Sequence, residues 1–535
     1  MRHRLLGSPV LLVAGFAVLV VAHLAGEPPF AGPDESAHYY RALSLTTDGL
    51  VGEPVALREP LRLSPRQAAV VGQEVRLVTV PAGLRTGHAT CHANRPHASA
   101  ACLLATAEPV PAGASQVDTP VGTYPPAAYA LPGLAARLGR DAVTAVTLAS
   151  AASALTCLAL LGLAVVLLWR PEAGPLSLVG VLVATPPMVL STAASLNPSG
   201  PEIAAAVALG AATVSLGRAA ASRPQAAPDR WGAAWAVVAL AGPVLALSRS
   251  VGPAWLAVHL GVLVGWVGPR GLWRAVRERP RAVAGAATVL GLAVAVAVAW
   301  QVVLGTDVQA SPAPLPDALR VAWPAARTAL TRDAVAVFGY LEYGLPPVAL
   351  HAWQALVLGL LATALAVGHA RRRLVLLAVT TGAVLAPLVL EAGLLRHTGF
   401  AVQGRHVLAV LVLVPLLAGE VVAERARGAV RRLAPPVVAM AAAPVQFTAW
   451  YAVARRGAVG IDGPWWFIGR SAWSPAPGYG WWAAAAGAGA ALVALAGLGA
   501  ARAKRQAAQP AAPTTSTLRT PTTPTASGSM DTSRS

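Results

Sequence analysis

The chain has 535 residues, of which 56% are hydrophobic and 12% charged, with a formal net charge of +18. Soluble globular proteins carry about 25% charged residues, so the composition excludes an ordinary cytosolic enzyme and a disordered chain. The charge does not indicate a nucleic-acid binder, because the arginines fall in short clusters between apolar runs, where a membrane protein places them.

A membrane-crossing helix needs about 20 mostly apolar residues. Candidate runs lie at 8–24, 142–168, 176–193, 202–217, 232–248, 252–268, 282–304, 349–368, 373–391, 406–423, 434–453 and 481–501. Some are short, so one span more or fewer also fits. The expected fold is an all-α polytopic membrane protein with about 12 transmembrane helices and a large extracytoplasmic first loop. The first run follows Met-Arg-His-Arg, but no small-residue cleavage site precedes Glu27-Pro28-Pro29. It is expected as a retained helix rather than a cleaved signal.

Arginine position sets the expected orientation in the cell membrane. With Arg2 and Arg4 in the cytoplasm, alternate loops are arginine-rich, at Arg170, Arg218 to Arg230, Arg270 to Arg281, Arg371 to Arg373, Arg425 to Arg432, and Arg502 to Arg505. Both termini are then cytoplasmic. Four divisions follow: 1–24, the cytoplasmic N-terminus and first helix; 25–140, an extracytoplasmic loop with interfacial helices; 141–505, the multi-helix membrane region; and 506–535, a disordered cytoplasmic tail rich in Thr, Pro, Ser and Ala. The longer loops at 305–348, 392–405 and 454–480 fall on the same outer side as 25–140.

In the first loop, Cys91 and Cys102 suit a disulfide in an oxidising compartment. Such a ring stabilises by about 3 kcal/mol in the loop-entropy model. The alternatives are two free thiols, or a metal site drawing on His88, Cys91, His92, His97 and Cys102. Cys157, inside the second span, reads as core packing.

The most informative stretch is Gly32-Pro33-Asp34-Glu35-Ser36-Ala37-His38-Tyr39-Tyr40-Arg41, just after the first span. It reads as a helix start that Asp34 or Ser36 caps. Asp34, His38 and Arg41 then share one face, with Glu35 and Tyr39 beside it. A carboxylate, an imidazole and a guanidinium suit proton abstraction next to an anionic substrate. The alternative is a solvated amphipathic helix with Asp34 as a plain cap. Ser195 to Glu202 forms a turn in which Asn197 and Glu202 are candidate site residues. Arg249, in an otherwise bare turn, and Arg405, in Gln403-Gly404-Arg405-His406, suit phosphate binding; snorkelling at helix ends is the alternative. Tyr124-Pro125-Pro126 leads into 126–138, too short to span and expected to lie in the interface. Trp465-Trp466 and Trp481-Trp482 read as an interfacial aromatic belt, with sugar stacking as the lesser reading.

These motifs together resemble the bacterial membrane-protein family known as domain of unknown function 2142. The resemblance rests on Pro33 to Arg41, with Tyr124-Pro125-Pro126, Asn197-Pro198 and Gln403-Gly404-Arg405 in support, and covers roughly residues 8–500. Two positions depart from its pattern. His406 stands where the family usually has an aromatic residue, and Ser199 where it tends to have an acid. The family in turn resembles the GT-C superfamily of polytopic glycosyltransferases, which use polyprenyl-phosphate-linked sugars and need an acidic residue in the first outer loop.

That resemblance implies a sugar transferred to a cell-envelope glycan or lipid acceptor. Asp34 would be the base, with Glu35 or His38 orienting. Arg249 or Arg405 would hold the phosphate, and Arg41, Asn197, Glu202, Tyr124 and His406 would line the substrate. It also admits a divalent metal, Mg or Mn, on Asp34 and Glu35. Competing readings are a transporter or flippase of lipid-linked saccharide, and a non-catalytic envelope scaffold.

Overall fold

The structure is a computed structural model that describes residues 7–55, 64–105, 113–221, 230–305 and 314–508. Arg2, Arg4, Arg223 and the tail from 509 lie outside the described residues. Among the described residues, nineteen α-helices include ten long and apolar enough to cross a membrane, and two bent pairs bring the spans to as many as 12 if each pair is one span. The all-α polytopic expectation holds for the membrane region.

The first span, α1 (Ser8–Gly26), ends where Pro28 and Pro29 remove backbone donors. The helix α2 (Glu35–Ser44) follows it directly, and α3 (Pro65–Glu74) and α4 (Ala130–Ala136) complete the helices before the second span. The second span, α5 (Ala142–Leu168), is capped by the Asp141 carboxylate, which accepts from Thr144 N at 2.8 Å. The third is broken into α6 (Val179–Val183) and α7 (Pro187–Ala194), the two arms of the pair bent by 69° where Pro186 and Pro187 interrupt the ladder. The centre of the bundle is α8 (Ser199–Ala221), buried along nearly its whole length. Its Ala and Gly residues let neighbouring backbones approach closely.

Then come α9 (Arg230–Ser248), α10 (Gly252–Val267), α11 (Pro269–Glu278), α12 (Pro280–Leu304) and the amphipathic α13 (Leu315–Thr328). The last spans are α14 (Pro347–Val367), α15 (Ala370–His397), α16 (Gly404–Leu411) continued by α17 (Leu413–Arg425), α18 (Gly428–Val459) and α19 (Tyr479–Ala508). The first and last described helices pack together, α1 lying along α19. Because α19 is helical through Ala508, the expected tail boundary at 506 moves past it.

Side-chain contacts give the bundle two distinct ends. At one end, Arg218 Nε donates to Glu420 Oε1 at 2.7 Å, Arg170 joins the same carboxylate, and Arg372 lies 3.7 Å over the Trp266 ring. Arg274 donates to Ala219 O and Arg431 to Glu172 O there. The described residues of the segment 25–140 lie at the opposite end. This is the alternation that the arginine clusters imply.

The first loop differs from the expected set of interfacial helices. It contains an antiparallel sheet in the order β1 (Glu53–Pro54), β2 (Arg76–Pro81), β3 (Ala114–Thr119). In β2 the residues Arg76, Val78 and Val80 are buried while Leu77 and Thr79 between them are less so, the period-two pattern of a half-buried strand. Cys91 and Cys102 form a disulfide with Cα atoms 6.2 Å apart, which takes both sulfurs away from any metal set. The loop is tied to the bundle through Arg456 of α18, which donates to His92 O at 2.9 Å and to Glu342 Oε2 at 3.0 Å. In α4, Leu131, Leu134 and Leu138 just beyond it are exposed.

The spans also hold buried polar groups. His23, Glu202, His259, Glu391 and Gln446 are all buried within them.

Candidate functional site

The site forms where the segment after α1 meets the N-termini of α8 and α16. Asp34 sits at the N-cap of α2 but does not cap it: its backbone is left-handed, φ 57° and ψ 17°, and its side chain accepts no helix N–H. Aspartate enters this region more readily than most residues. The carboxylate meets Arg405 instead, accepting from Nη2 at 3.1 Å. The Asp34 side chain is 51% exposed and that of Arg405 only 5%. Two other guanidinium nitrogens of Arg405, Nε and Nη1, are buried without an acceptor. A buried cation whose sole acceptor is a half-exposed carboxylate retains capacity for a second anion.

Arg405 is set by the first turn of α16. Gly404 allows it, because a Cβ there would lie 2.2 Å from Asp333 C and Ala334 N. His406 returns its Nδ1 to Gln403 N at 3.4 Å, closing the helix start. In this chain the departure at 406 therefore serves as a cap.

Glu35 has a different role from its neighbour. It is buried, and its two oxygens accept from Leu196 N at 2.9 Å, Ser150 Oγ at 3.1 Å and Gly32 N at 3.3 Å. Burial raises its pKa, opposed by those hydrogen bonds. Glu35 thus staples the Asp34 segment to α5 and to the turn before α8. Asn197 reinforces that junction, donating from Nδ2 to Pro33 O at 3.2 Å and accepting Ser199 N at 2.9 Å. Ser199 in turn accepts from Arg249 Nη1 at 2.8 Å. Glu202, one turn further along α8, is buried with neither oxygen hydrogen-bonded.

His38 is buried, and its Nδ1 is 2.8 Å from Tyr129 Oη. Burial holds its pKa well below the usual value, and the charges of Arg405 and Arg249 depress it further. The imidazole is therefore held neutral within the field of two guanidinium groups. Tyr124 lies beside it, ring centroids 6.0 Å apart, and Arg249 and Asp34 both act electrostatically on the Tyr124 and Tyr129 phenols. The Tyr124 segment is fixed by Trp300 Nε1 of α12, which donates to Thr123 O at 2.8 Å.

The structure thus brings Asp34, His38, Arg249, Arg405 and Tyr124 into one neighbourhood, with Asn197 and Glu35 behind them. It does not bring in Arg41. That side chain is buried and donates to Tyr124 O, Leu50 O and Ser44 Oγ, so its donors serve protein acceptors. Two residues not anticipated from sequence join the site. Tyr129 orients His38, and Tyr340, at the tip of the hairpin β4 (Val337–Phe338) and β5 (Tyr343–Gly344), lies within electrostatic reach of Asp34 and Glu35. The Gly339 and Leu341 backbones, both at positive φ, make that turn; the signal available in sequence was Phe-Gly-Tyr-Leu-Glu-Tyr-Gly.

Asp34 and Glu35 do not together form a two-carboxylate metal site. A hard cation takes six or more oxygen ligands or keeps several waters on one or two free carboxylates. Here Asp34 is paired with Arg405, and three protein donors occupy Glu35. No group of three or more His, Cys, Asp or Glu suited to a metal occurs among the described residues.

No curated protein and no solved structure matches the chain. A family model does match, across residues 16–414, a stretch that holds every residue of this site; the chain belongs to the predicted membrane protein family DUF2142.

Proposed function

We propose that this protein is a membrane glycosyltransferase that moves a sugar from a polyprenyl-phosphate-linked donor to a cell-envelope glycan or lipid acceptor. The observation that carries the reading is the Asp34–Arg405 pair, a half-exposed carboxylate on a buried arginine with unfilled donors, with Arg249 nearby. By the positive-inside rule the arginine-rich end faces the cytoplasm, so this site works on the extracytoplasmic side of the cell membrane and both termini are cytoplasmic.

The donor phosphate takes Arg405 and Arg249 as its partners, and Asp34 is released from Arg405 to act as base. Asp34 accepts the proton of the acceptor hydroxyl while that oxygen bonds to the anomeric carbon. The bond from that carbon to the phosphate oxygen breaks, and the electron pair leaves on the lipid phosphate. Charge grows on the leaving phosphate, so the two guanidinium groups stabilise the transition state more than the ground state. His38, neutral, orients the acceptor through hydrogen bonding. Glu35 and Asn197 position Asp34, and no step uses a metal.

The test is a transfer assay in membranes with radiolabelled polyprenyl-phosphate sugars. Asp34→Asn should abolish transfer at unchanged expression; retained transfer in that variant retires the assignment.

A second reading, a flippase or transporter of lipid-linked saccharide, is favoured by the two bent helix pairs and the buried polar groups His259, Glu391 and Gln446. It predicts sugar-lipid translocation in proteoliposomes without any glycosidic product.

A further inference from the structure

We propose that α11 is an in-plane membrane helix that binds the headgroups of anionic phospholipids, at the end of the bundle opposite the Asp34 site. It meets α10 at a 95° bend, and so lies across the direction of the spans rather than along them. Gly268 makes the corner with φ 80°. Gly271 lets the helix press on α8, since a Cβ there would come within 2.8 Å of Ala220 Cβ. Three arginines lock the arrangement. Arg274 donates to Ala219 O at 2.8 Å, Arg371 to Gly265 O at 2.9 Å, and Arg372 to Trp266 O at 3.1 Å.

With its position fixed, the faces of α11 have distinct surroundings. Ala275 is fully buried and Leu272 partly buried, packed toward the bundle. Trp273 and Val276, on the apolar side that the bundle does not cover, are 58% and 44% exposed. Val289, Leu292 and Val296 are likewise exposed further along α12, a span mostly uncovered by protein. Along the edge of that apolar side run Arg270 and Arg277, both exposed, with the Arg277 guanidinium 4.5 Å over the Trp273 ring; exposed Arg281 follows at the start of α12. An apolar strip flanked by arginine, with a tryptophan between, matches the boundary between acyl chains and phosphates. Charge complementarity selects an anionic headgroup over a zwitterionic one.

The test is native mass spectrometry of the full-length protein from detergent, titrated with phosphatidylglycerol or phosphatidylcholine. The wild type should retain phosphatidylglycerol preferentially, and raised salt should weaken it. R270Q/R277Q/R281Q should weaken that retention by about fivefold per arginine, on the order of a hundredfold together. All three side chains are exposed, so an unchanged elution profile in size-exclusion chromatography verifies folding. A variant with equal charge loss at the other end, R85Q/R137Q/R140Q, should change retention less than about threefold. Equal retention of the two lipids, an unaffected α11 variant, or equal losses in both triple variants overturns the proposal. So does capture of a single-stranded oligonucleotide by these arginines with no lipid preference.

Discussion

Replacing Glu35 separates positioning from chemistry at this site. Its carboxylate is buried and accepts three hydrogen bonds, from Leu196 N, Ser150 Oγ and Gly32 N. Glu35→Ala leaves all three donors without a partner. Each orphaned buried donor costs about 1–3 kcal/mol. The Gly32 contact, at 3.3 Å, is the longest and the weakest of the three, so the sum is about 4 kcal/mol. That raises the population in which the Asp34 segment is open on the order of a thousandfold. Glu35→Gln retains a carbonyl oxygen for Leu196 and Ser150 and opposes only Gly32, costing about 1–2 kcal/mol. Limited proteolysis of purified protein in detergent reads the open population when closing outpaces cleavage. The expected order is wild type, then Gln close behind, then Ala cut far faster within the segment after α1. Alanine and wild type cut at equal rates would refute the staple; so would a glutamine variant as labile as alanine.

Two further perturbations probe the surroundings of the site. Gly404→Ala puts a Cβ 2.2 Å from the Asp333–Ala334 backbone and should cost about 1–3 kcal/mol or more, read as a lowered thermal midpoint. Transfer activity should fall further than stability does, because Arg405 follows directly. Glu27, just past α1, is pushed up from 4.5 to about 8, by burial first and then by the Glu35 charge, against Arg456. The folded chain holds a proton that the unfolded chain releases, so stability should fall as pH rises from about 4.5 to about 8 and level off above. Glu27→Gln should flatten that slope in midpoints measured across pH; a slope that persists would place its origin elsewhere.

Apolar length made the spans legible, because a bilayer demands the same helix whatever packs around it. The expected run at 142–168 is α5 residue for residue. Even the bent pair α6–α7 showed as one run, since proline breaks the ladder without making the segment polar. The sheet in the first loop was missed because β2 contributes only the short run Arg-Leu-Val-Thr-Val-Pro, too little to stand against the expectation of interfacial helices. At the site, residue type singled out Asp34, Arg249 and Arg405, which the fold places near one another, whereas helical spacing put Arg41 on their face and the fold turns it to other partners. Helical spacing gives a face and not what the face meets, and here that was backbone carbonyls in the loop. Tyr129 and Tyr340 reach the site from segments 91 residues beyond His38 and some 300 beyond Asp34, a closeness that only the fold creates.

Two adjacent carboxylates therefore sit in opposite environments. Glu35 is enclosed and fully hydrogen-bonded, so it holds structure. Asp34 is half exposed on a backbone that a cap residue does not adopt, since N-caps favour extended φ and ψ. A left-handed aspartate costs of order 1 kcal/mol and persists only where its surroundings impose it; here the Glu35 staple and the Asn197 bond to Pro33 O do so. This dictates how Asp34 must be tested. Alanine would add backbone strain and leave Arg405 buried without its acceptor, so lost activity would have three explanations. Asparagine enters the left-handed region as readily as aspartate and still offers Arg405 an oxygen. It removes the charge and the capacity to take a proton. A protein with unchanged midpoint and no transfer would locate the base at Asp34, whereas one that transfers normally would leave the carboxylate no chemical role.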